Sequence, residues 1–511
     1  VTTLTDPDAA QPQPAPTPGG RLWRQAFSPP QPWALAAGLT LARFWPLALL
    51  AIGVALYLPA LGLRPLRFEE GRRALQAIEI LDGGSWWQLR VLGTPYLSKP
   101  PFTPWLISLA AWMRGSLDEY AVRLPGVVAA VAGALAAAAA GYRLAAADRR
   151  LAALVAGLGF LGSVHILLKA RVGETDVTVA ALCALAFTIW LFGRSAGGPR
   201  LLGWLGVATC LAAAALTKGP TPLVFPALPM ILLPLLERKK REAVSALAAI
   251  LIALVPLGGW AFLNRAAASS AHWASEMRLA PGSVDYVDLL LLNGLPLSIV
   301  YLMPFLPAAV ARGVERKRAG GGPRWATDAL LLYAVPMTLV VTIVPGGVAR
   351  YSMPAAWPVA VLSGLWIADK ARRWAIALFL AYTAAAVAVI FQTVQIGFLD
   401  GRTTGQHAAR QRASALSAAL APLPAGALPV LWNESPDANL LAYAGRRLYL
   451  IAPSELACAT GGDYLIVRLA DRAAADASPA WRAPEALSDW GLLYRREPAA
   501  APEDCLPRNR R

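Results

Sequence analysis

Long apolar runs, repeated down the chain and separated by short charged connections, constrain this sequence more than any other feature. A helix needs about 20 apolar residues to cross a hydrocarbon layer about 30 Å thick, because each residue rises about 1.5 Å. Runs that approach this length fall at 44–63, 121–143, 151–168, 177–193, 201–216, 221–236, 243–263, 294–311, 326–344, 352–368 and 374–392. They predict a polytopic α-helical membrane protein with about 11 transmembrane helices. Composition agrees: 57% of the 511 residues are hydrophobic and 15% are charged, against about 25% charged in soluble domains. Segments 32–42 and 102–113 are apolar but broken by Pro or Trp, which predicts helices lying along the interface.

The charges decide orientation. Basic connections recur at Asp148-Arg149-Arg150, Arg194 to Arg200, Glu237 to Arg241, Arg312 to Arg324 and Asp369 to Arg373. All fall on one side if the N-terminus is inside, and the positive-inside rule places that side in the cytoplasm. An odd number of spans then puts the C-terminal region outside. The net charge of +16 is therefore read as topogenic rather than as a nucleic-acid footprint, which would cluster on a folded soluble face.

Residues 1–30 begin Pro- and Gln-rich and predict a disordered cytoplasmic tail, followed by a membrane domain over 31–392 with a long external loop at 64–119. Residues 393–511 are less apolar, with candidate strands at 428–432, 447–451, 464–469 and 491–495, and predict a small external α/β soluble domain. Cys458 and Cys505 fall in that domain, where an oxidising compartment would permit a disulfide.

The external side gathers acids and bases. Glu69 and Glu70 open the long loop, and Asp176 immediately precedes the apolar run Val177–Trp190. A carboxylate beside hydrocarbon is costly unless paired or used. Such acids can serve as a general base or orient an acceptor, or can simply pair with Arg72 and Arg171 to fix the loop. Lys99, stiffened by Pro100-Pro101, joins Lys169, Lys218 and Arg350 on the same side. Several cations there suit the phosphate of a lipid substrate, while snorkelling to bulk lipid is the plainer alternative. Tyr351 can hold a phosphate or belt the interface. His272 and Glu276, spaced i,i+4, leave a metal pair and an ordinary surface pair both open. No cofactor is required by the pattern; a divalent metal is compatible with it.

Six short motifs, in order, carry a resemblance. They are Phe68-Glu69-Glu70-Gly71-Arg72-Arg73, Gly93 to Pro101 with its Lys-Pro-Pro, Tyr120 to Pro125 with Ala-x-Arg-Leu-Pro, Arg171 to Asp176, Leu216 to Pro220 with Thr-Lys-Gly, and Arg350-Tyr351-Ser352-Met353-Pro354. Over roughly 44–392 the chain resembles the GT-C-fold membrane glycosyltransferases, in particular the aminoarabinose lipid A transferases and the related protein O-mannosyltransferases. The resemblance implies an enzyme of the bacterial inner membrane. It would move a sugar from a polyprenyl-phosphate donor to a lipid A-like or other cell-envelope acceptor on the outer face, by inverting displacement. It implies that Glu69 or Glu70 stands for the first-loop catalytic acid and Asp176 for the second, with Arg72, Lys99 and Tyr351 toward donor phosphate; Arg171, Lys218 and Arg350 are further candidate phosphate-binding residues on the same side. Glu69 replaces the family's Asp, and Ser98 replaces a Glu beside the lysine, which weakens any metal site carried over. A lipid or oligosaccharide transporter would instead place its ionisable residues mid-span, and a non-catalytic scaffold would not require the paired acids and cations.

Overall fold

The computed structural model describes residues 29–267, 302, 304–315, 324–343, 349–393, 404–424, 429–432, 437–450, 464–478, 481–487 and 491–496. The N-terminal tail expected over 1–30 lies almost wholly outside them.

Among the described residues the first elements are α1 (Pro32–Arg43) and α2 (Trp45–Tyr57), which meet at a 101° bend. The segment 64–119 is not an open loop. It contains α3 (Glu70–Leu81), a hairpin of β1 (Arg90–Val91) and β2 (Thr94–Pro95), and α4 (Phe102–Arg114). Then come α5 (Glu119–Leu144), α6 (Arg149–Leu161), α7 (Val164–Lys169), α8 (Asp176–Ser195), α9 (Leu201–Lys218), α10 (Val224–Leu236) and α11 (Lys240–Leu263). The membrane part closes with α12 (Leu306–Glu315), α13 (Arg324–Ile343), α14 (Ala356–Ala368) and α15 (Arg373–Thr393). Local chemistry sets these ends. Asp118 caps α5 by accepting from the Ala121 N–H at 2.8 Å, and Asp148 caps α6 from Leu151 at 3.2 Å.

The expectation of about 11 membrane-crossing helices is corrected by this structure. Among the described residues five helices are long and apolar enough to cross, or up to six if the bent pair α1–α2 counts as one span. Hydropathy registers apolar composition but not helix continuity. The run 151–168 breaks at Gly162-Ser163 into α6 and the six-residue α7. The run 221–236 starts as a 3-10 turn and carries Pro229 and Pro234 within α10. The run 352–368 yields only the 13 residues of α14, about 20 Å of helix.

Small residues let the helices approach closely, as they do in membrane bundles. A Cβ on Gly141 of α5 would stand 2.8 Å from the Ala152 carbonyl oxygen of α6, and one on Gly364 of α14 would stand 2.5 Å from that same oxygen. Where α8, α13 and α14 meet, the buried ring of Phe187 packs edge to face on the buried rings of Tyr333 and Trp357, with centroids 5.2 and 5.7 Å away. The basic connections tie to neighbouring acids: Arg194 to Glu237 and Glu242 at 2.6 and 2.7 Å, Arg312 to Asp369 at 2.5 Å, and Lys370 to Glu315 at 2.5 Å. Helix α8 separates this end from the opposite one. Asp176 starts it and Arg194 sits in its last turn, a rise of about 30 Å.

After α16 (Thr404–Leu420) the C-terminal region forms an open five-stranded sheet from β3 (Pro429–Trp432), β4 (Tyr449–Leu450), β5 (Tyr464–Arg468), β6 (Trp481–Ala486) and β7 (Gly491–Arg496). Its order is β4-β3-β5-β7-β6. Strands β3, β4 and β5 run parallel, and β7 pairs antiparallel with β5 and β6. The short helices α17 (Ala438–Leu441) and α18 (Arg472–Asp476) fill connections.

This sheet shares a hydrophobic core with segment 64–119. Leu75, Ile78 and Leu92 pack in one cluster with Leu416, Leu431, Leu440 and Ile466. The direct contact, rather than any parity of spans, puts the C-terminal region and the 64–119 segment on the same face. At its edge Arg447 reaches Glu79 at 3.6 Å and donates to the Glu79 carbonyl at 3.1 Å. Burial pushes the Glu79 carboxyl above its ordinary range despite Arg447. Desolvation therefore offsets the attraction, and Glu79→Gln is expected to change stability by less than about 1 kcal/mol. Thermal unfolding of the purified variant checks this; a midpoint lowered as far as by removing a core leucine would contradict it.

Candidate active site

One cavity of about 230 Å³ opens where α3, α8, α9 and the segment after the hairpin converge. Glu69, Arg72 and Arg73 line it from the start of α3; Tyr96, Ser98 and Lys99 from the segment before α4; Glu174, Thr175 and Asp176 from the start of α8; and Lys218 from the end of α9. Three carboxylates thus face four cations.

The backbone at Phe68 aims the first acid. Phe68 adopts φ 54, a left-handed conformation that costs a residue with a Cβ roughly 1–2 kcal/mol. The chain turns there into α3 with Glu69 and Glu70 as consecutive residues, and the two side chains diverge. Glu69 is 40% exposed, pairs with Arg72 at 3.1 Å and lies 4.0 Å from Arg73. Glu70 is completely buried and does not line the cavity. Its carboxylate accepts from Arg123 Nε at 2.7 Å and Nη2 at 2.8 Å, and from the Arg67 and Gly173 N–H groups at 2.9 Å each. Arg123 donates onward to the carbonyls of Leu61, Arg64 and Pro65 at 2.8, 3.0 and 3.0 Å. The Glu70–Arg123 pair therefore staples the 61–67 segment, α3, α5 and the turn before α8 into one support beneath Glu69.

The second acid lies deeper. Asp176 is 6% exposed and is ion-paired to Lys218. The Lys218 ammonium also sits 4.0 Å from the Tyr351 ring centroid, a cation–π contact. Glu174 pairs with Lys169 at 2.7 Å, and Lys169 lies 5.8 Å from the ring of Phe68. Lys99 stands apart: among the described residues no carboxylate pairs with it, while Arg72, Arg73 and Lys218 each have one within 4.0 Å.

Of the residues singled out from sequence, the structure brings together Glu69, Asp176, Arg72, Lys99 and Lys218 in the cavity, with Tyr351 against Lys218. Glu70 lies behind it, and Arg171 is not among the lining residues. The backbone of Arg350 belongs to the 3-10 turn Ala349–Ala355, and its side chain lies outside the described structure. His272, Glu276, Cys458 and Cys505 lie outside the described residues. Among the described residues no three His, Cys, Asp or Glu side chains gather where they could hold a metal ion. Each cavity carboxylate is already matched by an ammonium or guanidinium. Sequence reasoning passed over Arg73, Tyr96 and Glu174 as lining residues. Arg73 was within reach, since it stands one helical turn after Glu69.

Residues 98–260 match the family described as dolichyl-phosphate-mannose-protein mannosyltransferase. The chain is 27% identical over 322 residues to an undecaprenyl phosphate-alpha-4-amino-4-deoxy-L-arabinose arabinosyl transferase of Sodalis glossinidius, covering 60% of this chain and 56% of that one. A protein of the same description from Pseudomonas aeruginosa is 26% identical over 344 residues, covering 64% and 60%. The chain spans about half the length of the curated relatives it matches, 56% for the first of them. Its fold is that of ArnT from Cupriavidus metallidurans in the apo state, with a TM-score of 0.69 at 16% identity over 90% of this chain and 99% of that one.

Proposed function

We propose that this multi-pass membrane protein, which has the GT-C fold and is related to the polyprenyl-phosphate-dependent sugar transferases, moves a sugar from a polyprenyl-phosphate donor to a lipid or other cell-envelope acceptor. The observation that carries the reading is Lys99. It is an ammonium without a carboxylate partner among the described residues, held by Pro100-Pro101 in a cavity that also contains Lys218 and three acids, of which Glu69 and Asp176 lie at different depths. An unmatched cation invites an anion, and a phosphate supplies one.

Depth assigns the roles. Asp176, nearly buried, holds Lys218, so that Lys218 and Lys99 receive the donor phosphate on the membrane side of the cavity. Glu69, the more exposed acid, faces the side from which an acceptor hydroxyl arrives. In the displacement the acceptor oxygen attacks the anomeric carbon and loses its proton to the Glu69 carboxylate. The bond from that carbon to the phosphate oxygen breaks, and polyprenyl phosphate departs with its added charge met by Lys99 and Lys218. Inversion rests on the kinship with the family. The same reading places the catalytic membrane domain at 31–392 and the sheet domain at 393–511. It puts the basic connections in the cytoplasm, and the cavity and sheet in the periplasm.

The test is reconstitution of the purified protein with undecaprenyl phosphate-linked 4-amino-4-deoxy-L-arabinose, dolichyl-phosphate mannose and undecaprenyl phosphate-linked hexoses, together with a membrane extract as acceptor. Mass spectrometry is expected to show one donor consumed, free polyprenyl phosphate released and a sugar-sized mass added to an acceptor. Stability of every donor would contradict the enzyme class.

A further inference from the structure

The turn that aims Glu69 is gripped by a residue far away in sequence. Asn439, in α17 of the C-terminal region, accepts from the Gly71 N–H through Oδ1 at 3.0 Å and donates from Nδ2 to the Phe68 carbonyl at 3.3 Å. The two bonds bracket Glu69 and Glu70 and hold the carbonyl of the one residue there with a positive φ. The amide is itself anchored, since Asp437 caps α17 by accepting from the Asn439 N–H at 3.0 Å. Gly71 permits the approach: a Cβ there would stand 2.4 Å from the Ala438 carbonyl oxygen.

The same region grips the second arm of the cavity. The Leu450 N–H donates to the Leu92 carbonyl at 3.0 Å, and the Tyr449 ring fills the space a side chain on Gly93 would need. That hairpin leads directly into Tyr96 and Lys99.

We propose that Asn439 is a positioning residue of the transfer site, fixing the Phe68–Gly71 turn so that the Glu69 carboxylate meets the acceptor. The C-terminal sheet region is thereby a working part of the site and not an appended module. This rests on the reading of Glu69 given above. A side-chain amide suits the task because the turn presents one N–H and one C=O together; alanine answers neither, and aspartate answers only the N–H.

The test compares Asn439→Ala, Asn439→Asp, Tyr443→Phe and Glu69→Gln in the reconstituted protein, using the undecaprenyl phosphate-linked donors of the panel. Undecaprenyl phosphate itself serves as the binding probe. Displacing a catalytic group by about 1 Å can cost about 100-fold. Asn439→Ala is accordingly expected to lower kcat by about 30- to 100-fold, with donor KM and undecaprenyl phosphate affinity nearly unchanged. Asn439→Asp, which keeps the bond to Gly71, should fall between alanine and wild type, and it carries the test if the alanine variant fails to fold.

Tyr443→Phe is the control for docking. Its hydroxyl accepts from the Leu66 N–H at 2.9 Å and donates to Glu119 at 2.8 Å, on the same interface but bonding neither end of the Phe68–Gly71 turn. It should alter stability more than kcat. A wild-type kcat in Asn439→Ala overturns the proposal, as does an equal loss of kcat in Asn439→Ala and Tyr443→Phe. If Glu69→Gln transfers at the wild-type rate, the Glu69 reading falls and takes this inference with it. If Glu69→Gln is inactive while Asn439→Ala is normal, only the role of Asn439 is lost.

Discussion

Arg123→Ala is expected to be the most destabilising single substitution in the half of the protein that carries the cavity. The side chains of the pair are 3% and 0% exposed, so Glu70 would be left as a buried carboxylate without its counter-ion. Breaking a buried pair from one side costs about 3–5 kcal/mol, because the remaining charge has lost its partner and cannot reach water. Here the loss is larger in consequence, since Arg123 also satisfies the carbonyls of Leu61, Arg64 and Pro65. Thermal unfolding in detergent should show a midpoint lowered by roughly 3–5 °C, with transfer lost because the support beneath Glu69 has gone. The double variant Glu70→Gln/Arg123→Met removes both charges and should be less damaged than Arg123→Ala. A midpoint for Arg123→Ala close to wild type would show that the pair is not the staple described.

Asp176→Asn is expected to have the largest effect on chemistry with the fold retained. Asparagine keeps the shape but gives up the charge that holds Lys218 between Asp176 and the ring of Tyr351. The ammonium that should meet the departing phosphate is then free to relax toward solvent. Removing one preorganised group that stabilises developing charge costs about 100- to 1,000-fold in kcat, and that range is the expected loss. Steady-state transfer with the preferred donor measures it, beside a melting curve to establish that the variant is folded. Transfer within a few-fold of wild type would remove Asp176 and Lys218 from the mechanism.

Much of this site is legible in the sequence. Glu69 opens the long connection after the first apolar run, Lys99 precedes a Pro pair, and Asp176 and Lys218 flank apolar runs, and the alternation of sides predicts that they share one face. The choice between Glu69 and Glu70 was not legible. They are adjacent carboxylates at a helix start, and successive helical residues point about 100° apart. Which one turns inward depends on Arg123, and the Tyr120–Pro125 motif gave that arginine no role. Asn439 left no signal at all, since one asparagine in a polar region is unremarkable until its two partners are known. The span count failed for a different reason. Windows of hydropathy do not register that a helix stops at Gly162-Ser163, or that an apolar run such as 352–368 delivers only the 13 residues of α14.

If the cavity between Glu69 and Lys218 transfers a sugar from a polyprenyl phosphate, as proposed, the transfer shows in the fate of the carrier lipid. Its most direct measurement is single-turnover release of polyprenyl phosphate by wild type and by Glu69→Gln, both shown to be folded and to bind undecaprenyl phosphate equally. Wild type is expected to release the carrier lipid only when acceptor is present, and Glu69→Gln to bind it but slow release by about 100-fold or more. Equal release from the two proteins would contradict the proposal.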